Sequence, residues 1–328
     1  MRIGLLTSGG DAPGMNAAIR SVVRCGTDLG LDLLGVRRGF NGLIEGDVVP
    51  LDNRAVGGIV ERGGTMLLSA RSEAFLTPEG REKALAEIRC QRLDGLVIIG
   101  GNGSLRGARW LDENGVCTVG IPASIDNDIP RTDMSIGVDT ALNTVVEALT
   151  RVRDTAVAHE RAFVIEVMGR KSGYIALMGG LAGGAEVVLL PEMSMTLSDV
   201  VERVCEGVRK GKRHSIIVVA EGFAPTDLQD ASPSPGRAVA EALQQDGTVE
   251  TRLTILGHLQ RGGSPSASDR MLACRLGQAA ATWQAKRETG TYAGLVGNRI
   301  APVPLGAVEE GCRNVDLDLL RLADVLAH

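Results

Sequence analysis

Short apolar runs that end abruptly in glycine or an acidic residue, and then lead into helical periodicity, constrain this chain more than any other feature. Residues 3–7, 96–99, 163–167 and 215–220 are the clearest. Runs that are apolar at nearly every position read as strands buried on both faces, as in a parallel sheet covered by helices. After Gly10, residues Ala17, Ala18, Ile19, Val22 and Val23 fall on one helical face, while Arg20 and Arg24 lie one turn apart on a polar one. Val145, Val146, Leu149 and Val152 repeat the pattern. An α/β protein is expected, with ligand loops at the carboxyl ends of its strands. Residues 224–237, rich in Pro, Ser and Asp, read as an exposed loop.

At 328 residues the chain exceeds the usual size of one domain, so two domains sharing a cleft are expected. No apolar run is long enough to span a bilayer. The opening Met1-Arg2-Ile3-Gly4-Leu5-Leu6 breaks into glycines without the apolar core or cleavage site of a signal peptide. A cytoplasmic protein with no membrane partner is expected. Cys25, Cys90, Cys117, Cys205, Cys274 and Cys312 form no CxxC pair and have no zinc-like histidine spacing, so they are expected to be reduced and buried. A formal charge of −5, with two Trp, two Tyr and four Phe, argues against a nucleic-acid surface. An anionic substrate would need a local basic pocket.

Thr7-Ser8-Gly9-Gly10-Asp11-Ala12-Pro13-Gly14-Met15-Asn16 follows the first strand and opens the first helix. Its glycines let backbone approach a ligand, and the helix start offers N–H groups to phosphate; a lone Gly pair is equally a tight strand-to-helix turn. Ile98-Ile99-Gly100-Gly101-Asn102-Gly103-Ser104-Leu105-Arg106-Gly107 repeats this logic. Its third glycine comes one residue late for the dinucleotide fingerprint, and there is no GxxxxGK[ST] loop, which disfavours a Rossmann dehydrogenase. Two glycine loops on parallel strands suit a nucleotide whose phosphates lie across both.

Asp126 and Asp128 stand two apart in Ser124-Ile125-Asp126-Asn127-Asp128. In an extended segment both would project to one side, where one could accept a hydroxyl proton and the other orient a sugar. A solvated turn or a helix cap is the alternative. Arg71, Arg161, Arg170, Arg252 and Arg261 suit a sugar phosphate and the charge on a transferring phosphoryl group if they converge, and are surface ion pairs if they do not.

The strings TSGGDAPGMNAAIR, IDND, DTALNTVVEA, EVMGR, LAGGAE and GHLQRGGSP occur in this order along almost the whole chain. On these strings the chain resembles the bacterial ATP-dependent phosphofructokinases, the phosphofructokinase A family. The resemblance implies two Rossmann-like three-layer α/β/α domains with a cleft between them. Residues 1–137 plus 261–312 would bind ATP, and residues 138–260 plus 313–328 would bind fructose 6-phosphate and an effector. It implies transfer of the terminal phosphoryl group of ATP to the sugar 1-hydroxyl, giving fructose 1,6-bisphosphate and ADP, the committed step of glycolysis. ATP would be co-substrate, Mg2+ the cofactor, and the assembly an allosteric homotetramer with sites shared between subunits.

By the same resemblance Asp126 is the base, with Ser124 beside it where the family usually has threonine. Arg71, Arg170 and the backbone of Gly10 would stabilise the transferring phosphoryl group. Arg161, Arg252, His258 and Arg261 would grip the 6-phosphate, with Arg161 and Arg252 reaching in from a neighbouring subunit. Asp128, Met168, Gly169 and Glu221 would hold the sugar. ATP would contact Gly10, Phe40, Arg71, Ser72, Gly101, Asn102, Gly103, Ser104 and Gly107. Arg20, Arg24, Arg153, Glu186, Lys210 and Lys212 match a site for ADP, GDP or phosphoenolpyruvate, although one arginine of that pattern falls on Asn53.

Family members that use pyrophosphate typically carry an acidic residue at the position of Gly103 and a lysine at that of Ala123. Both are small here, which favours ATP over a pyrophosphate-dependent enzyme. Asn102 is the main departure, because ATP users normally have aspartate there, beside the magnesium on the nucleotide. Asparagine keeps an oxygen and loses the charge, so weakened catalysis with retained binding is expected. A regulatory form that binds both ligands stays open beside the active enzyme.

Overall fold

The computed structural model describes residues 1–227, 234–313 and 315–327. In chain order the first elements are β1 (Arg2–Ser8), α1 (Met15–Asp28), β2 (Asp32–Val36), α2 (Gly39–Glu45), β3 (Val48–Leu51), α3 (Pro78–Cys90) and β4 (Gly95–Gly100). There follow α4 (Asn102–Glu113), β5 (Cys117–Pro122), α5 (Val138–His159), β6 (Ala162–Val167), α6 (Tyr174–Ala182), β7 (Val187–Leu189) and α7 (Leu197–Arg209). The last are β8 (Ser215–Ala220), α8 (Pro235–Asp246), β9 (Thr251–Ile255), α9 (Ala267–Lys286), β10 (Thr291–Val296), β11 (Arg299–Pro304) and α10 (Leu317–Leu326). The four apolar runs read from the sequence lie in β1, β4, β6 and β8, and every residue of β4 and β8 is buried.

Two compact units result: Met1–Ile125, Ile129–Thr140 and Arg261–Gly311 form the first, and Asp126–Asp128, Ala141–Gln260 and Cys312–His328 the second. The first holds a seven-stranded sheet in the order β11-β10-β5-β4-β1-β2-β3. Its four central strands, β5-β4-β1-β2, are parallel, while β3 and β11 run antiparallel to their neighbours at the edges. Leu6, Leu96 and Ile98 point to one face and pack with Phe40, Leu43, Ala84, Ile88 and Leu105 from α2, α3 and α4. Each such fully buried aliphatic side chain stabilises the fold by roughly 1.5–3 kcal/mol. The alternate residues meet α1 and α9, which pack so closely that a Cβ on Gly277 would stand 2.6 Å from that of Ser21.

The second unit holds a parallel sheet in the order β7-β8-β6-β9. Val164, Ile217 and Val219 meet Val200 and Val204 of α7 and Val239 and Leu243 of α8 on one face. On the other, Gly180 of α6 lets that helix approach Val188, and Gly179 lets it approach Val145 of α5. Each unit is thus a sheet between helical layers, as the sequence pattern predicts.

Two expectations need correction. None of the six cysteines is buried: Cys90 and Cys312 are exposed and the other four are half-buried, because Cys25, Cys90, Cys205 and Cys274 lie on helices, Cys117 is the first residue of β5, and Cys312 precedes α10 in a loop. Of the expected loop at 224–237, Pro235, Gly236 and Arg237 are instead the first turn of α8, with Ser234 Oγ accepting from the Arg237 N–H. Ser at the cap followed by Pro is ordinary helix-start chemistry, outweighing the loop-like composition; residues 228–233 lie outside the described residues. Among the described residues no helix is long and apolar enough to cross a membrane.

Candidate active site

In the first sheet the chain runs outward from β1 to β2 and β3, then returns to place β4 on the other side of β1. That reversal opens a crevice at the carboxyl ends of β1 and β4, where open α/β sheets bind ligands. The register pairs Ser8 with Gly100, so the two glycine loops leave the sheet side by side. Both loops open helices whose first turns carry no acidic residue and no side-chain cap, α1 after Gly14 and α4 after Gly101. Uncapped amides and aligned peptide dipoles favour an anion at both places. Around Gly103 the space is open, since an added Cβ would meet nothing within 4 Å.

Other members of the expected nucleotide set face inward. Ser104 is 4% exposed and its hydroxyl donates to the Ser8 carbonyl at 3.0 Å, so it offers a ligand its backbone only. Gly107 exists for packing: a Cβ there would lie 2.5 Å from Phe40 Cζ. Phe40 in turn is buried and stacked on Phe75, ring centroids 4.1 Å apart. Ser72 Oγ accepts from the Phe75 N–H, ordering the short turn after Arg71.

Arg71 is brought to the glycine loop by its own neighbours. Ser69 Oγ donates to the Gly9 carbonyl at 2.7 Å, and the Gly9 N–H to Ala70. Thr7 donates to Leu68, while Asn16 donates to Arg62 and Gly63 and accepts from Met66. The motif residues Thr7 and Asn16 therefore hold the segment that presents Arg71. Arg261 also lies on this loop, with Nη1 donating to the Asp11 carbonyl and standing 2.8 Å from where a Gly10 Cβ would be.

In the second unit, Asp126 is 1% exposed and its Oδ2 is 3.4 Å from Arg170 Nε. Of the readings open for this segment, the extended one is not what forms: Asn127 adopts a left-handed backbone with φ 48°, a conformation asparagine tolerates better than most residues. Asp126 and Asp128 therefore do not share a face by strand alternation. Arg170 is itself left-handed, φ 53°, in a turn at the end of β6. Glu221, just past β8, accepts the Gly169 and Arg170 N–H groups at 3.2 and 2.7 Å and so holds that turn. Gln260 accepts from Met168 N–H and donates to the Gly257 carbonyl, adding a support that the sequence reading did not single out. His258 lies on the same short turn, residues Gly257–Arg261.

Arg161 and Arg252 are gathered elsewhere in this unit. Both pair with Glu250, Arg161 Nε at 2.7 Å, at the amino ends of β6 and β9. The Arg161 hydrogen bond, first, holds the Glu250 carboxyl below its ordinary range. Arg170 follows the carboxyl end of β6, a strand of 6 residues, so the two arginine groups are roughly 20 Å apart at about 3.3 Å per residue.

Of the expected effector residues, Arg153 reaches the Gly183 carbonyl and Glu186, and Glu186 accepts the Ile216 N–H. Glu186, Lys210 and Lys212 line a cavity of about 290 Å³ together with Arg203, Asp324 and Ala327. Arg20 and Arg24 are on α1 in the first unit.

Asp269, which the sequence reading passed over, is 1% exposed in the first turn of α9. Its spacing from Ser266 is an ordinary helix-cap signature, confirmed by Ser266 Oγ accepting from Asp269 N–H, and nothing in that signature shows where the carboxylate points. Burial raises its pKa above the ordinary value, against the lowering effect of hydrogen bonds from Thr140 and Gly137.

Comparison with known proteins agrees with this architecture. A family model described as Phosphofructokinase matches residues 2–284. The ATP-dependent 6-phosphofructokinase of Halothermothrix orenii is 48% identical over 329 residues, covering 99% of each chain. ATP-dependent 6-phosphofructokinase 1 of Thermus thermophilus is 50% identical over 327 residues, again covering 99% of each. The solved phosphofructokinase of Saccharomyces cerevisiae superposes with a TM-score of 0.86 at 37% identity, over 94% of this chain and 45% of that longer one.

Proposed function

The chain belongs to the phosphofructokinase family, and from that premise we propose that it is an ATP-dependent 6-phosphofructokinase, transferring the γ-phosphoryl group of ATP to the 1-hydroxyl of fructose 6-phosphate. The observation that carries this reading is the Asp126–Arg170 pair, 3.4 Å apart with the aspartate buried. A carboxylate that can take a hydroxyl proton is held beside a guanidinium that can bear the charge of a transferring phosphoryl group. The same activity is named for relatives 48% and 50% identical over 99% of the chain. As a glycolytic enzyme it would act in the cytoplasm.

Residues 1–137 plus 261–312 would hold ATP, with phosphates lying on the amides of residues 102–104 and the Gly10 turn, and with Arg71 and Arg261 beside that turn. Residues 138–260 plus 313–328 would hold the sugar phosphate through Met168, Gly169, Glu221 and His258, joined by Asp128 from the segment Asp126–Asp128 that groups with the second unit. Asp126 takes the 1-hydroxyl proton as the oxygen attacks phosphorus, with Ser124 two residues away in the chain. Magnesium fits as an ion carried by the nucleotide: among the described residues no group of three or more His, Cys, Asp or Glu could hold a metal, and Asn102 offers one neutral oxygen. An ion that takes most ligands from phosphates and water needs no protein cage. When bound it neutralises charge on those phosphates.

Arg161 and Arg252 stand at the end of β6 opposite Arg170, roughly 20 Å away along the backbone, and are engaged there by Glu250. That separation supports the reading in which they serve the 6-phosphate of another copy's site, within a homotetramer with shared sites. The cavity lined by Glu186, Lys210 and Lys212, near Arg153, would take the effector, ADP, GDP or phosphoenolpyruvate, with Arg20 and Arg24 supplied by a neighbouring subunit. Asn102 favours a second reading, a weakened or regulatory form.

ADP release from ATP and fructose 6-phosphate with saturating magnesium tests the proposal, with pyrophosphate as a rival donor. Turnover with ATP that falls ~100-fold or more in Asp126→Ser, as for loss of a general base, supports it. Turnover with pyrophosphate alone, or an unimpaired Asp126→Ser variant, overturns it.

A further inference from the structure

The carboxylate of Asp269 is buried among hydrogen-bond donors. Oδ1 accepts the Gly137 N–H at 2.8 Å, and Oδ2 accepts the Thr140 N–H at 2.8 Å and the Thr140 hydroxyl at 2.5 Å. Thr140 Oγ1 in turn accepts the Ser266 N–H at 3.0 Å. The start of α5 is thereby fastened to the start of α9, with the cost of a buried charge offset in part by charge-assisted bonds and two helix N-termini.

What this clamp holds in place is more specific than two helices. Gly137, at φ 102°, has space for no side chain: a Cβ would stand 2.7 Å from Ala12 Cβ and 3.3 Å from both Pro13 Cδ and Ile125 Cγ2. Ala12 and Pro13 belong to the first glycine loop, and Ile125 is the residue before Asp126. The neighbouring Ile136 lies against Gly14, the cap of α1, where an added Cβ would be 2.7 Å from its Cγ2 and 3.6 Å from Asp269 Cβ. Ile136 N–H donates to Pro122, its carbonyl accepts from Ser124, and Ser135 Oγ donates to the Ser124 carbonyl at 2.6 Å. One segment, residues 135–137, thus braces both the phosphate loop and the neck of the loop that carries Ser124 and leads into Asp126.

We infer that Asp269 is a positioning residue for phosphoryl transfer, fixing through Gly137 and Thr140 the segment on which the glycine loop and the Ser124–Ile125 neck both rest. The inference rests on the kinase reading above. Chemistry that depends on alignment loses about 100-fold for a displacement of about 1 Å. An amide at this position would turn one N–H donor toward another and let the segment shift, while a merely structural cap would lose stability without a matching loss of turnover.

The test compares the full chain with Asp269→Asn, Thr140→Val and Thr140→Ser, measuring kcat, KM for ATP and for fructose 6-phosphate, and thermal unfolding. Asp269→Asn is expected to lower kcat by about 10- to 100-fold while each KM stays within about twofold. Thr140→Val, which keeps the N–H and the shape, should lower kcat less, and Thr140→Ser should restore it. A folded Asp269→Asn variant with kcat within about twofold of the parent, or with its whole loss in KM, overturns the inference. If Asp269→Asn does not fold, Thr140→Val decides: reduced kcat at constant KM supports the clamp and normal kcat refutes it. A parent chain silent with ATP and fructose 6-phosphate, or an unimpaired Asp126→Ser variant, would remove the kinase reading and this inference with it, and the same assay shows which has failed.

Discussion

The carboxamide of Asn102 occupies the first residue of α4, at the positive end of that helix and beside the open space at Gly103. Its Oδ1 is buried as the side chain stands, so the carboxamide must turn before that neutral oxygen can accept a hydrogen bond from magnesium-bound water, and it adds no charge to the ion's surroundings. Asn102→Asp is expected to lower the magnesium concentration for half-maximal rate and to raise kcat, each by about tenfold. It should not cost stability, because a carboxylate in a first helical turn contributes about 0.3–1 kcal/mol in the favourable direction. A magnesium titration and a melting curve on the same variant check both halves; an unchanged magnesium requirement would place Asn102 away from the metal. Asp269 yields a pH prediction of the opposite kind. Its folded pKa is raised by burial, so the contribution of its protonated form is fully present below the unfolded value, near 3.8, and is lost as pH rises through the raised one. Relative to Asp269→Asn, which does not titrate, the parent should lose stability on going up from about pH 4, and the difference in Tm should flatten once the raised value is passed. A difference that stays constant over that range would mean the carboxyl is unperturbed. Asp126 and Arg170 were legible in the sequence because they sit in strings that match a family. Asp269 was not, because a Ser-x-x-Asp helix cap is common and its carboxylate is recruited by a segment more than a hundred residues earlier in the chain.

Strands buried on both faces leave a signature that needs no partner to interpret, which is why β1, β4, β6 and β8 could be placed from apolar runs alone. Strand β9 leaves a weaker one, since its residues are mostly half-exposed at a sheet edge. The turn at residues 126–128 hides for another reason: whether Asp-Asn-Asp is extended depends on one φ, at Asn127, that composition does not fix. Glycines in α4 were legible as glycines but not by purpose, since Gly103 opens the helix start to a ligand whereas Gly107 admits the Phe40 ring. Gly107→Ala separates packing from ligand contact. Its Cβ would meet Phe40 Cζ at 2.5 Å, and Phe40 is stacked on Phe75 at 4.1 Å and has little room to retreat. Overpacking of this kind costs about 1–3 kcal/mol. Urea unfolding should show that loss, with KM for ATP little changed in the folded fraction. A rise in KM without loss of stability would instead make Gly107 part of the nucleotide surface.

At the scale of the whole molecule, the separation of two arginine groups along β6 has the widest consequence. Arg170 shares the carboxyl end of β6 with the turn held by Glu221, whereas Arg161 and Arg252 sit with Glu250 at the amino end. A sugar phosphate is far shorter than the roughly 20 Å that separates the two ends at about 3.3 Å per residue. If all three arginines serve one substrate, they come from two copies of the chain, and a site damaged on one side can be repaired by the other. Asp126→Ser and Arg252→Ala should each be nearly inactive as pure proteins. Mixed in equal amounts, dissociated and allowed to reassemble, they should regain activity, because an intact site needs Asp126 from one copy and Arg252 from its neighbour. Random pairing across a two-fold interface, where each copy supplies the same patch to the other, leaves about a quarter of the sites intact. Recovery toward that level, absent when the two are mixed without dissociation, would establish sites built by two copies. No recovery from a reassembled mixture would mean that each chain completes its own site, and that Arg161 and Arg252 serve only their ion pairs with Glu250.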